Sequence, residues 1–599
     1  MVAALASFLF AEPASAAPAW LPPVQLAGPQ AATTPDVASD PVGDAAAVWD
    51  TQSGAQYEVH ASLHRAGSGA WNAPDLLATS ENPASPRVAM DAAGDALVVW
   101  TQWHDGQPTL SSSFRRAGDA AWGPVQSIVD TIGAAPSGVF LSFDGAGNAL
   151  VCWVEYSDTG TALRTAYRPA AAGAWQAPVE VPAGLVQTAA LAVGVNGEAV
   201  LAWSKFDSTG DGTRYVVQAA LGSGGTWSAH AELVSSPGFV TGPAVTVDAR
   251  GEATVAWSEL DGGNTVIWAA SRPPAGTWQP RTRLSFADGN ASFPDLGSDA
   301  KGDVLAVWST PLDAESSFRP VGGDWERAVA IPGSGPEASP ALAMNARGDA
   351  VAVWPDYIGG TLRGAARPAG GTWQTAADVG PFASFGPSGE RIAMDAAGDA
   401  VVVWNHSGEG YGEDTVLAAA YDAAGPVLKV TAPTSGVVLQ PLTFTVKAVD
   451  AWSRLSAEPG WTFSDGRTAG GASVTRAFAS PGTYTATVVV SDAAGNTSSA
   501  KVTVVVTARA KAAPSVLKRP SIRGVPRVGK TLTCVPGKWR GTKPIRFAYA
   551  WLRDGRSRAA GARLRLRRAD AGHRVLCTVK ATNAAGTART RSLAVRVRR

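Results

Sequence analysis

The sequence predicts an all-β chain: an eight-bladed β-propeller, with seven blades as the fallback, followed by two β-sandwich domains. Three observations predict it. A unit of about 50 residues built around two tryptophans recurs eight times, the apolar runs inside each unit are strand-length and broken by Gly and Pro, and the repeat stops near residue 424. Repeats of this period mark propellers or solenoids, and short runs bounded by turn residues argue against helical repeats.

At 599 residues the chain exceeds what one hydrophobic core usually supports. Its 65 Gly and 41 Pro would suit disorder, but 45% hydrophobic residues and 22 Trp argue for a packed, turn-rich fold. Residues 1–16 read as a secretory signal peptide, in which an apolar run from Val2 to Phe10 precedes the small-x-small site Ala14-Ser15-Ala16, although the usual basic start is missing. The expected address is therefore extracellular or at the cell surface. No later run of ~18 apolar residues predicts a membrane span.

The repeat occupies residues 17–424. Its most regular phrase ends in Trp49, Trp100, Trp153, Trp203, Trp257, Trp308, Trp354 and Trp404, as in DAAGDALVVW and DARGEATVAW. A second Trp precedes each, at Trp20, Trp71, Trp122, Trp175, Trp227, Trp278, Trp325 and Trp373. In the fifth unit the pattern gives strands over 243–248, 253–257, 266–271 and 277–284, with a tight turn at Ala249-Arg250-Gly251-Glu252. The turn glycine suits positive φ, and the Asp before it can cap the turn. Four short antiparallel strands per unit, repeated radially, make a blade. The last unit lacks its Gly-x-Trp strand while the mature N-terminus begins with one, Ala19-Trp20-Leu21, so the N-terminal strand should complete the eighth blade and leave no open edge. Such regular Trp, together with Met90, Met344 and Met394, reads as packing, and Cys152 in an apolar strand as a buried thiol.

The Asp-x-x-Gly turn followed by a strand ending in Trp resembles the Asp-box hairpins of sialidase-like propellers, without their full Ser-x-Asp-x-Gly-x-Thr-Trp order. Phrases such as Arg367-Pro368-Ala369-Gly370-Gly371-Thr372-Trp373 are similar to exported repeat proteins of actinobacterial genomes. Residues 425–507 carry Trp461-Thr462-Phe463-Ser464-Asp465-Gly466 and Gly482-Thr483-Tyr484-Thr485 through Asn496, which resemble the PKD domain, a β-sandwich serving as spacer or contact module in exported proteins. A linker over 508–513 leads to residues 514–599, where Leu532-Thr533-Cys534, Tyr549-Ala550-Trp551 and Val575-Leu576-Cys577 resemble bacterial immunoglobulin-like repeats. That resemblance implies a Cys534–Cys577 disulfide packed on Trp551, contributing roughly 2 to 4 kcal/mol. Val575 stands where that family's corner Tyr is expected.

Charge is split along the chain. Residues 511–599 hold 24 Lys and Arg against Asp554 and Asp570; with 50 of each sign overall, residues 1–510 keep 26 basic and 48 acidic side chains. The C-terminal domain is thus strongly cationic and the rest anionic. Arg563, Arg565, Arg567 and Arg568 alternate along one expected strand, and Arg596, Arg598 and Arg599 extend the theme, so these seven are candidates for binding an anionic envelope. An extracellular address and the lack of interleaved aromatics argue against nucleic acid.

Other motifs have plainer explanations. Gly524 to Thr531 spells a phosphate loop, but Pro526 removes a donor and a strand, not a helix, follows. Arg347-Gly348-Asp349 is the seventh copy of the repeat turn. His60 and His64, four apart on a strand, would lie about 13 Å apart, too far to share an ion. The loop Asp207-Ser208-Thr209-Gly210-Asp211-Gly212 is a weak calcium candidate through Asp207 and Asp211, and no other cofactor is expected. No paired carboxylates stand out for glycosidase chemistry. The function expected is a monomeric, non-catalytic binding or display protein whose propeller contacts a surface protein or glycan. The alternative is a sialidase-like glycoside hydrolase or lyase with its site at one propeller mouth.

Overall fold

The computed structural model describes residues 18–28, 32–129, 136–157, 160–209, 212–286, 289–336, 338–383, 389–407 and 414–599. The expected signal peptide and Asp211 lie outside them. The described chain is almost entirely β, its sole helical element being the single 3₁₀ turn Arg568–Asp570. No described helix is long and apolar enough to cross a membrane.

Up to Asp422 the described residues form eight antiparallel sheets of four or five strands, the type of sheet that builds a propeller blade. The first strand of each sheet packs against the first strand of the next, and Arg391–Met394 of the last packs against Ala32–Ser39 of the first. The expected clasp forms. Ala19–Trp20 pairs with the final strand Asp414–Asp422 in the register Ala19↔Asp422 and Trp20↔Tyr421, and Val24–Ala27 pairs further along the same strand.

In the fifth unit the strands are Val240–Val247, Ala253–Asp261, Asn264–Arg272 and Thr282–Arg283. The fourth is far shorter than the expected 277–284. Trp278 leaves the ladder to pack into the core shared with the preceding sheet, and Pro280 has no N–H to donate.

The eight phrase-ending tryptophans are at most 1% exposed, and the cores that hold them combine side chains of successive sheets. The second tryptophans act between sheets: the Nε1–H groups of Trp175, Trp227 and Trp373 donate to Ser112, Thr165 and Ser316 of the preceding sheet at 2.9, 2.8 and 2.8 Å. Met90, Met344 and Met394 join these cores. Cys152 is fully buried, and burial pushes its thiol far above the ordinary range.

The next residues form a three-stranded sheet (Val427–Thr431, Leu442–Val449, Ser473–Arg476) facing a five-stranded one, around Phe444, Trp461, Phe463 and Phe478. In the last segment, the three-stranded sheet holding Thr531–Val535 faces the five-stranded sheet built on Arg546–Arg553 and Arg574–Asn583. A disulfide between Cys534 and Cys577 joins them, in one core with the fully buried Trp551.

Candidate functional site

Each repeat turn is a local hydrogen-bonding device. Asp40 Oδ1 accepts the N–H groups of Val42 and Asp44, both at 2.9 Å, and Asp91, Asp144, Asp248, Asp299 and Asp395 repeat the pattern. The acid just after the turn glycine has a second role that the sequence reading missed. Asp44, Asp95, Asp303 and Asp349 each accept an N–H from the loop after the third strand, Ala66, Ala117, Val321 and Ala369, at 2.7 to 2.9 Å. Its recurrence one residue after seven of the eight turn glycines was the available signal. The Asp349 of Arg347-Gly348-Asp349 is therefore engaged as scaffold.

Four inner-strand positions carry charge where their equivalents are Ala190, Ala244, Ala341 and Phe140: Asp36, Arg87, Asp295 and Arg391. Asp36 Oδ2 accepts the Val88 N–H and Asp295 Oδ2 the Leu342 N–H, both at 2.9 Å, so each acid staples its own sheet to the next. Burial raises the affinity of both carboxyls for protons; Arg87 and Arg391 pull Asp36 back, and Arg391 acts on Asp295 as well. Arg391 Nε lies 3.8 Å from Asp36 Oδ1 and keeps nearly half its side chain exposed. The cluster balances two acids with two guanidinium groups and can offer an anionic or hydroxyl-rich ligand directional donors.

The C-terminal domain presents unbalanced charge. Its two acids are already committed: Asp570 is fully buried against Arg553 and Arg558 at 3.1 and 2.9 Å, and Asp554 pairs with His573. Arg558 foremost holds the Asp570 carboxyl at about 2. Arg563, Arg565, Arg567, Arg568, Arg596, Arg598 and Arg599 are all exposed, alternating with buried Leu564, Leu566 and Val597. The structure brings the two groups of arginines together, because the Val528 N–H donates to Arg598 O and the next N–H, of Gly529, to Leu566 O.

On the outer face of the five-stranded sheet lies a groove of about 750 Å³ that the sequence reading did not single out. Register explains it: Ala548, Lys580 and Arg589 stand side by side, as do Ala550, Thr578 and Arg591. The alanines leave a floor, and Arg519, Lys580, Arg589 and Arg591 supply a cationic rim. The alternation Arg589-Thr590-Arg591 was the available signal.

The remaining candidates separate. Asp207 is exposed, 3.9 Å from Lys205, and its proposed calcium partner Asp211 lies outside the described residues. His60 stacks on Trp49 and His64 on Trp452, on different neighbours. Gly524 to Thr531 runs directly into the strand Thr531–Val535.

Residues 423–508 match the PKD domain family, and that segment is a PKD domain. No curated protein matches the chain. Among solved structures it is similar to a protein of unknown function from Dyadobacter fermentans, at 12% identity and TM-score 0.35 over 48% of this chain and 96% of that one. It is also similar to a PL25 ulvan lyase, at 11% and 0.37 over 60% and 96%. A third is the subtype N10 neuraminidase-like protein of A/little yellow-shouldered bat/Guatemala/060/2010, at 9% and 0.31 over 48% and 95%. Likenesses this low carry no argument about activity.

Proposed function

We propose that the protein is a secreted or cell-surface, non-catalytic binding protein whose immunoglobulin-like C-terminal domain holds it on an anionic envelope polymer. The PKD domain serves as spacer, and an eight-bladed propeller presents loops to a protein or glycan. The observation that carries this reading is the cationic groove of the last domain, together with seven further exposed arginines elsewhere on that domain, while both of its acids are already paired. Fixed cations on a rigid sheet attract a flexible polyanion through a salt-sensitive field.

The test is retention of the full chain on purified envelope polymer. Binding should fall away between about 0.15 and 0.5 M salt as the Debye length shrinks from ~8 Å toward 4 Å. Reversing Arg589 and Arg591 to Glu should lower it at every salt concentration. Retention indifferent to both salt and charge reversal would refute the reading.

The cluster Asp36, Arg87, Asp295 and Arg391 favours a second reading, a glycan-active enzyme, because two carboxyls of raised proton affinity beside arginines suit acid catalysis on a sugar. Turnover of chromogenic glycosides that is lost in Asp295→Asn would establish it.

A further inference from the structure

Where the propeller-type sheets give way to the PKD domain, three aspartates from separate segments meet. Asp422 ends the strand Asp414–Asp422 that carries the N-terminal clasp, Asp450 follows Leu442–Val449, and Asp492 follows Gly482–Ser491. They are 0%, 5% and 1% exposed, and one carboxylate oxygen from each lies within 4.8 Å of the other two. Each carboxylate uses Oδ1 for the protein. Asp450 accepts the N–H groups of Trp452 and Ser453 at 3.0 and 2.8 Å, Asp492 those of Gly495 and Asn496 at 2.7 and 2.8 Å, and Asp422 accepts Asn496 Nδ2–H at 3.0 Å.

The other oxygens tell a different story. Asp422 Oδ2 and Asp492 Oδ2 are enclosed and have no hydrogen-bond donor. None of the three acids forms an ion pair among the described residues. Burying unpartnered carboxylate oxygens beside like charges is strongly unfavourable unless a cation joins them.

We propose that Asp422, Asp450 and Asp492 bind one calcium ion that fastens the end of the last propeller-type strand to the PKD domain. The donors are all hard oxygens, which excludes a zinc-type nitrogen and sulfur set. Two oxygens bound to one calcium at 2.3–2.6 Å stand no more than about 5 Å apart, and the three carboxylates meet that limit. The surroundings are shaped to hold the ion's two sides together: the Trp452 ring, two residues from Asp450, stacks on His64 at 4.1 Å, and the Gly67 N–H donates to Ala451 O at 3.1 Å. This inference rests on that geometry and not on the envelope-binding reading.

The experiment is calorimetric titration of the chelator-treated full chain with calcium chloride, beside thermal melts with and without the ion. One ion per chain is expected, with Kd between about 10⁻⁶ and 10⁻³ M, and Asp492→Asn should weaken it at least about tenfold by removing one ligand charge. Asp207→Asn should leave it unchanged. Calcium should also slow proteolytic cleavage around residue 424. Should Asp492→Asn fail to fold by circular dichroism, Asp450→Asn provides the same reading. No heat and no melting shift at about 5 mM calcium would overturn the proposal. So would binding that survives both carboxamide variants, or binding that disappears with Asp207→Asn.

Discussion

His64 shows how one residue can report on the junction between two parts of the molecule. It is 3% exposed, lies nearly parallel to the Trp452 ring, and burial lowers its pKa to about 4 although Asp44 and the Gly43 backbone pull the other way. An unfolded histidine takes up its proton near pH 6.5, whereas the folded one resists until about pH 4. The contribution of this contact is therefore complete above pH 6.5 and is lost as pH falls from there toward 4. The full chain should melt at a lower temperature at pH 5 than at pH 7, and His64→Phe, which keeps the stack, should make that decline shallower. An equally steep decline in the variant would assign the effect to another group. The sequence correctly separated His60 from His64 by strand geometry. It could not supply Trp452 as a partner, because that contact joins distant parts of the chain.

At the scale of elements, hairpins were legible because their chemistry is local. A turn Asp in six of the eight units, a glycine at positive φ such as Gly94 at +83°, and a following apolar run fix the first hairpins locally. The clasp was legible as a missing strand at one end and a surplus strand at the other. In it, Trp20 packs on Tyr421 at 5.3 Å between ring centres, beside the pair Ala19↔Asp422. Trp20→Ala should destabilise the chain by about 3 kcal/mol and speed amide exchange over Val416 to Tyr421. Unaltered exchange there would mean that the clasp adds nothing to closure. The fourth strand of the fifth unit was overestimated because Trp278 packs into the core shared with the preceding sheet, and no local pattern distinguishes a Trp in a ladder from one leaving it.

At the scale of the whole molecule, cross-linking and charge are unevenly distributed. The disulfide spans 43 residues entirely within the C-terminal domain, and on the chain-entropy account contributes about 4 kcal/mol there. Calorimetry with and without reductant should show the transition of that domain moving down while those of the eight repeat sheets and the PKD domain stay in place. A thiol titration of the unfolded, unreduced chain should find one group, Cys152; three would contradict the bridge. The cationic surface was legible as a count of charges, but the single strand expected to carry four alternating arginines ends at Arg565, and Arg567 and Arg568 lie at the 3₁₀ turn Arg568–Asp570 that follows. The groove was not legible, since it needs Arg519, Lys580 and Arg589 from separate segments on one face.

By itself the sequence determined the all-β class, the repeat, the turn chemistry, the N-terminal clasp and the place of greatest positive charge. These follow from patterns whose periods are shorter than a hairpin or whose copies recur along the chain. Tertiary structure alone decided which sheets share each tryptophan, which charges gather at Asp36 and Arg391, and that Asp422, Asp450 and Asp492 enclose a common space. Those are distances between residues far apart in the chain, set by how sheets pack, and a linear pattern of residues does not encode them.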